Sequence, residues 1–143
     1  MTSSVFLDVN VWLALNSRDH KHFEPAWAWY KGLPPQTVLL FCRFTQLGLL
    51  RLLTTQSVMG QGTLTQGQAW SAYDRLLETA GAGFIDEPAG VESIFRPLSG
   101  GQKASPKEWA DAYLAAFAEA ANLKLVTFDR ALAGKAKGAV LLS

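Results

Sequence analysis

The chain has 143 residues, 49% of them hydrophobic and 17% charged, with a formal net charge of +1. That balance belongs to a globular chain with a sizeable core, most simply one domain over residues 1–143, and excludes a disordered one. The near-neutral charge also excludes a protein that coats nucleic acid non-specifically, though a local patch could still engage a short stretch. Cys42 is the only cysteine, so no intramolecular disulfide can form and a reducing compartment is expected. No apolar run approaches the ~20 residues of a membrane span, and no basic-then-apolar leader opens the sequence. A soluble, cytoplasmic protein is expected.

Short apolar runs alternate with helix-like stretches from end to end. Val5-Phe6-Leu7 reads as the first strand, feeding a helix from Val9 to Asn16. A second helix is expected to begin near His22, with Phe23, Ala26, Trp27 and Tyr30 on one face. Gly32 stops it and Pro34-Pro35 prevents its resumption. Val38 to Phe41 is the second strand. Arg43 to Leu53 is a third helix, expected to turn Phe44, Leu47, Leu50 and either Leu53 or Thr54 inward.

The polar stretch Thr55 to Gly62 reads as a loop, a candidate flap or interface segment. Thr65 and Gln68 have capping-box spacing, which predicts a helix over Gln66 to Thr79. Gly81 and Gly83 end it, before a third strand at Phe84-Ile85. Val91, Ile94, Phe95 and Leu98 mark a short amphipathic helix, and Ser99 to Gln102 breaks it. Ser105, Pro106 and Glu108 give start signals for the next helix, which should end at Asn122. Leu125 to Thr127 and Ala139 to Leu142 are the fourth and fifth strands. This alternation predicts a three-layer α/β/α sandwich around a central parallel sheet.

Three aspartates stand out. Asp8 and Asp129 each follow a strand-like run, and Asp111 lies within Trp109 to Phe117, a stretch apolar on nearly every side. In open parallel sheets ligands bind beyond the carboxyl ends of the strands, so the three acids can meet at one edge. Asp8 and Asp129 could each instead cap the helix that follows. Asp111, about two turns into a helix that starts at Ser105, could pair with an arginine, because an unpaired buried charge costs several kcal/mol. Carboxylates brought together repel unless a cation neutralises them, and Mg²⁺ or Mn²⁺ suits oxygen ligands and phosphate chemistry. His20 and His22 lack a third partner for zinc and read as exposed residues. Neither a Ser/His/Asp arrangement nor a GxxxxGK[ST] loop is present.

Four stretches carry a family resemblance: Phe6 to Trp12, Phe41 to Arg51, Ala110 to Ala115, and Leu125 to Arg130. In this order they resemble the PIN-domain ribonucleases, specifically the VapC-like toxins of bacterial toxin–antitoxin pairs. The resemblance implies endonucleolytic RNA cleavage at an acidic Mg²⁺ or Mn²⁺ site formed by Asp8, Asp111 and Asp129. It places Asn10 and Thr127 as polar neighbours that orient a ligand or water. Many members carry a glutamate where this chain has Gln46, which can hydrogen-bond a metal-bound water but adds no charge. One metal is therefore expected to bind better than two. Arg43, Lys107 and Arg130 lie near the expected edge, where they could meet RNA phosphates. The resemblance also implies a VapB-like antitoxin that enters the groove, and a homodimer. Trp12, Trp27, Trp29 and Trp70 are compatible with an interface, although core packing suits most of them. Two other readings compete: a PIN-like binding module inactivated by Gln46, and a haloacid-dehalogenase-type phosphatase using Asp8 as nucleophile. The phosphatase wants a second aspartate where Asn10 stands.

Overall fold

The computed structural model describes residues 3–143. In chain order the elements are β1 (Ser4–Leu7), α1 (Val9–Asn16), α2 (Phe23–Lys31), β2 (Val38–Phe41), α3 (Arg43–Leu53), α4 (Gln56–Met59), α5 (Gln66–Thr79), β3 (Ala82–Phe84), α6 (Val91–Leu98), α7 (Glu108–Ala120), β4 (Lys124–Thr127), α8 (Arg130–Lys135) and β5 (Val140–Leu141). All strand pairs are parallel, in the order β3-β2-β1-β4-β5. Phe6 stands opposite Leu40 of β2 and Leu125 of β4, so β1 is the centre of the sheet.

Because side chains alternate across a strand, successive residues serve opposite helical layers. Leu7, Leu39, Phe41 and Val126 pack with Val11, Leu49, Leu53 and Tyr73 of α1, α3 and α5. Phe6 and Leu125 pack with Leu114, Phe117 and Leu132 of α7 and α8. Each layer has a stacked aromatic pair at its heart: Trp12 on Phe41 at 3.7 Å, and Phe6 on Phe117 at 4.8 Å. The expected α/β/α sandwich is thus the observed fold. Its strand order reverses at β1, with the crossover to β4 opening a crevice between the carboxyl ends of these two strands.

Local chemistry explains several boundaries. Thr65 and Gln68 form the reciprocal capping box at the start of α5. Asn122 takes a positive φ of 55° after α7, and Leu123 N–H reaches back to the Ala118 carbonyl at 2.8 Å. That closure satisfies the helix's last carbonyls. At Gly48, an added Cβ would fall 2.7 Å from Val9 Cγ2, so the missing side chain sets how closely α3 approaches α1.

Four expectations are corrected. Helix α3 buries Thr45, Gln46, Leu49 and Leu53, while Phe44 and Leu47 face outward. Leu53 and the partly buried Leu50 do pack on the core as expected, but apolar residues occur on both sides of this helix and periodicity alone misplaced Phe44 and Leu47. Thr55 to Gly62 is not a loop but α4 followed by a 3-10 turn at Gly60–Gly62. Gly83 lies inside β3 rather than ending α5, and β3 closes at Phe84. Helix α7 starts at Glu108 after a turn through Pro106 and Lys107, which brings Asp111 into its first turn. The α2 residues expected on one face do share it, with Trp27 stacked between Phe23 and Tyr30, although of the four only Ala26 is buried. No helix among the described residues is long and apolar enough to cross a membrane.

Candidate active site

Asp8 leaves β1 at the crevice. Its Oδ1 accepts from Val9 N–H at 2.7 Å, capping α1, and its Oδ2 accepts from the Thr127 hydroxyl at 2.8 Å. The Thr127 oxygen in turn accepts from Asp129 N–H at 2.9 Å. Thr127 is fully buried, so this one hydroxyl ties the end of β1 to the end of β4. Asp129 Oδ1 caps α8 through Ala131 and Leu132 N–H, at 2.9 and 3.2 Å. Both capping roles expected of Asp8 and Asp129 are therefore real, and each coexists with a place at the crevice.

Asp111 differs from both. It is buried, yet its carboxylate takes no hydrogen bond among the described residues and no arginine pairs with it. Its charge is balanced at longer range by Lys107 and Lys135. Lys107 Nζ contacts Asp129 Oδ2 at 3.1 Å, and Lys135 Nζ contacts Glu108 Oε1 at 3.1 Å.

The electrostatics show one coupled group. Burial pushes the Asp8 carboxyl up, the bonds from Thr127 and Val9 hold it down, and Asp111 and Asp129 push it further up. Asp111 is raised by burial and then by Asp129, against the pull of Lys107 and Lys135. At Asp129 burial is outweighed by Lys107 and the two backbone N–H groups, so its carboxyl lies below the ordinary value. The ammonium of Lys107 is held on its proton by the hydrogen bond to Asp129, and by Asp111 and Asp8 behind it. A cation is thus already serving this cluster from within the chain.

Would a divalent ion fit? Asp111 offers an uncommitted carboxylate, and Asp8 keeps lone pairs beyond its two accepted bonds. Both oxygens of Asp129 are engaged, and among the described residues no three acidic, histidine or cysteine side chains are gathered at metal-holding spacing. The donor set therefore suits an oxygen-preferring cation held by Asp8 and Asp111, with Asp129 reached through water or after Lys107 moves aside.

The remaining expected residues separate. Gln46 is buried in the first turn of α3 and its side-chain carbonyl accepts from Arg43. The Arg43 guanidinium also lies 4.7 Å over the Phe84 ring, so it is positioned rather than loosely solvated. Asn10 and Arg130 are exposed at the starts of α1 and α8. Lys107, expected to face phosphate, faces Asp129 instead. His22 is not freely exposed: its ring stacks on Phe128 at 4.4 Å, between Thr127 and Asp129 in sequence. Lys135 was missed altogether, because its influence on Asp111 crosses 24 residues of chain with no local pattern to announce it.

A parallel sheet whose switch point gathers carboxylates is the architecture of the PIN domain family. The model of that family, described as PIN domain, matches residues 5–138, and the chain belongs to it. The chain is 42% identical over 132 residues to Ribonuclease VapC41 of Mycobacterium tuberculosis, covering 87% of this chain and 88% of that one. Ribonuclease VapC44 of the same organism is 32% identical over 129 residues, covering 89% and 87%. Among solved structures, VapBC2 from Rickettsia felis, bound to a promoter DNA fragment, superposes with a TM-score of 0.67 at 16% identity, over 98% of this chain and 99% of that one. The sarcin-ricin-loop-cleaving toxin VapC20 of Mycobacterium tuberculosis gives 0.64 at 16%, over 91% and 93%. At such identities these structural matches speak for the fold alone. Family membership removes the phosphatase alternative.

Proposed function

We propose that the protein is an endoribonuclease toxin of the VapC kind, using Mg²⁺ or Mn²⁺ and neutralised by a VapB-like antitoxin in a bacterial cytoplasm. The observation that carries this reading is the pairing of a tied carboxylate, Asp8, with an uncommitted one, Asp111, at the switch-point crevice. The names of its relatives, both ribonucleases, support the substrate class. Solved complexes of the same fold, described as VapBC2 and as a toxin–antitoxin complex from Klebsiella pneumoniae, support the antitoxin.

Asp8 and Asp111 would hold the cation, and Asp129 would complete the cluster through water or once Lys107 moves aside. When bound, a divalent cation neutralises the acids and supplies positive charge for a scissile phosphate and an attacking water. Thr127 keeps Asp8 oriented by donating to Oδ2, so that the carboxylate does not turn away between substrates. Gln46 steadies a water at the edge of the site but contributes no charge, which favours one cation over two. Lys107 leaves Asp129 to meet a substrate phosphate, and Arg43 and Arg130 flank the path of the RNA. Asn10 is a polar contact at the rim. For a homodimer the surface between α3 and α5 is the candidate, where the exposed Trp70 lines a cavity of roughly 240 Å³ with Leu47, Leu50 and Ala69 and the polar Arg51, Thr54 and Gln66.

Cleavage of RNA by the purified protein in Mn²⁺ tests the reading. Asp111→Asn is expected to lower the rate by about 10²–10³-fold, the scale of removing one principal electrostatic group. Calorimetry should show one Mn²⁺ per chain. The engagement of Gln46 and Asp129 by cations of the chain favours the inactive-module reading instead. Folded protein that binds no Mn²⁺ and cuts no RNA would establish that alternative.

A further inference from the structure

Helices α3, α6 and α7 leave an aromatic groove open at the start of α7, the helix that carries Asp111. Trp109 is 59% exposed and Phe44 40%, unusual for rings of this size. With Leu47, Phe95, Tyr113 and Arg43 they line a cavity of roughly 600 Å³. The rings meet edge to face: Phe44 with Tyr113 at 5.4 Å, Phe95 with Tyr113 at 5.9 Å, and Phe95 with Trp109 at 6.1 Å. Tyr113 is fixed at its other end, where its hydroxyl donates to Glu87 at 2.6 Å. A network of this kind costs little to hold in place, because each ring is already propped by its neighbour.

The position of the groove argues for its occupant. Trp109 and Ala110 line it, and Asp111 is the next residue of α7. A strand that presents a phosphate to Asp111 passes the same turn of α7 that carries Trp109, so a neighbouring nucleotide can reach this surface. Aromatic faces are what unpaired bases stack on, and a guanidinium suits the phosphate between them. Arg43 is the one charged residue lining the groove, and it is cationic. The surface between α3 and α5 also carries a single cation, Arg51, but Trp70 is its one lining aromatic and it shares no element with Asp111.

We infer that the Phe44–Phe95–Trp109–Tyr113 groove stacks an unpaired base flanking the scissile phosphate, with Arg43 taking an adjacent phosphate. The inference rests on the reading that the acids cleave RNA, and it names the feature by which that site prefers single-stranded segments. Trp109 is here a substrate-binding residue.

The test uses the full chain and a labelled, nuclease-resistant 2′-O-methyl phosphorothioate single strand of mixed sequence. A set of the same strand carries one abasic position at a time. Trp109→Ala is expected to weaken binding about 5- to 100-fold, the range for losing one stacked base, and to raise KM for RNA, while Trp109→Phe restores most of both. One abasic position should weaken binding to the wild type by a similar factor and have no effect on the Trp109→Ala protein. Circular dichroism checks folding, which so exposed a side chain should not control. Unchanged affinity and KM in Trp109→Ala overturn the inference. Altered self-association would then assign the groove to a second copy, and lost antitoxin binding would assign it to an antitoxin segment. Weakened binding without the abasic coupling overturns stacking as well. Trp109-dependent binding by a protein that never cuts RNA would remove the catalytic reading and keep the groove. Cleavage with Trp109-independent binding would do the reverse.

Discussion

Asp8, at the end of β1, and Asp111, in the first turn of α7, are equally buried at 8% exposure, yet they are held in opposite ways. Asp8 accepts from a backbone N–H and a buried hydroxyl, and serves as the cap of α1. Asp111 accepts from nothing among the described residues, and the ammonium groups of Lys107 and Lys135 act on it only at longer range, against the repulsion of Asp129 and Glu108. The first acid is part of the scaffold as well as the site. The second costs the fold something and does nothing for it locally, apart from a favourable place near the start of a helix. A carboxylate kept in that condition is the better mark of function, since structural need does not account for it.

The contrast can be broken experimentally. The largest effect should come from Asp8. Both Asp8→Ala and Asp8→Asn are expected to lose about 10²–10³-fold in RNA cleavage. They should differ in melting temperature, because asparagine can still cap α1 and alanine cannot. About 1 kcal/mol separates such caps, or roughly 3 °C for a chain of this size. Equal melting temperatures would mean that the cap contributes nothing to stability.

Thr127→Val tests the link between the two strand ends. It keeps the shape but removes the hydroxyl that serves Asp8 and Asp129, leaving Asp129 N–H without its partner. A loss of about 1–3 kcal/mol in stability is expected from chemical denaturation, with a fall in activity of about 10–100-fold. If activity holds while stability falls, Asp8 does not need this bond to work.

The smallest effect has the opposite sign. Burial and Asp129 raise the Asp111 carboxyl above its unfolded value. Its contribution to stability is therefore complete below the unfolded value of about 3.9 and is lost as pH rises through the folded one. At neutral pH, without metal, Asp111→Asn escapes that loss and should melt a few degrees higher than the wild type. The gap should close as pH falls below about 4. Added Mn²⁺ should reverse the order by stabilising the wild type alone. A variant that melts lower at neutral pH would show that Asp111 is held by something structural.

Much of this was legible in the sequence. The strand runs and the capping signals of α5 located the sheet and its layers, because burial on both faces writes a continuous apolar run at each strand. Asp111 was legible for the reason that it matters: a charge among Ala112, Tyr113 and Leu114 has no surface explanation. The inward face of α3 was not, since Phe44 and Leu47 look like core residues and point instead into the open groove beside α7. Nor was the pairing of Lys107 with Asp129, which depends on a turn through Pro106 where the sequence promised helix. Periodicity describes a helix against water, and it fails where a face is kept apolar for another purpose.

The glycine at position 48 connects the packing to the chemistry in a way that a genetic screen would expose. A side chain there must displace Val9, a β-branched residue with little rotamer freedom, and Val9 N–H is the group that Asp8 Oδ1 accepts from. Cells that survive unrestrained expression of this protein should therefore carry lesions at Gly48 as well as at the acids. Selection would score a missing hydrogen atom on one helix as though it were a missing carboxylate on its neighbour.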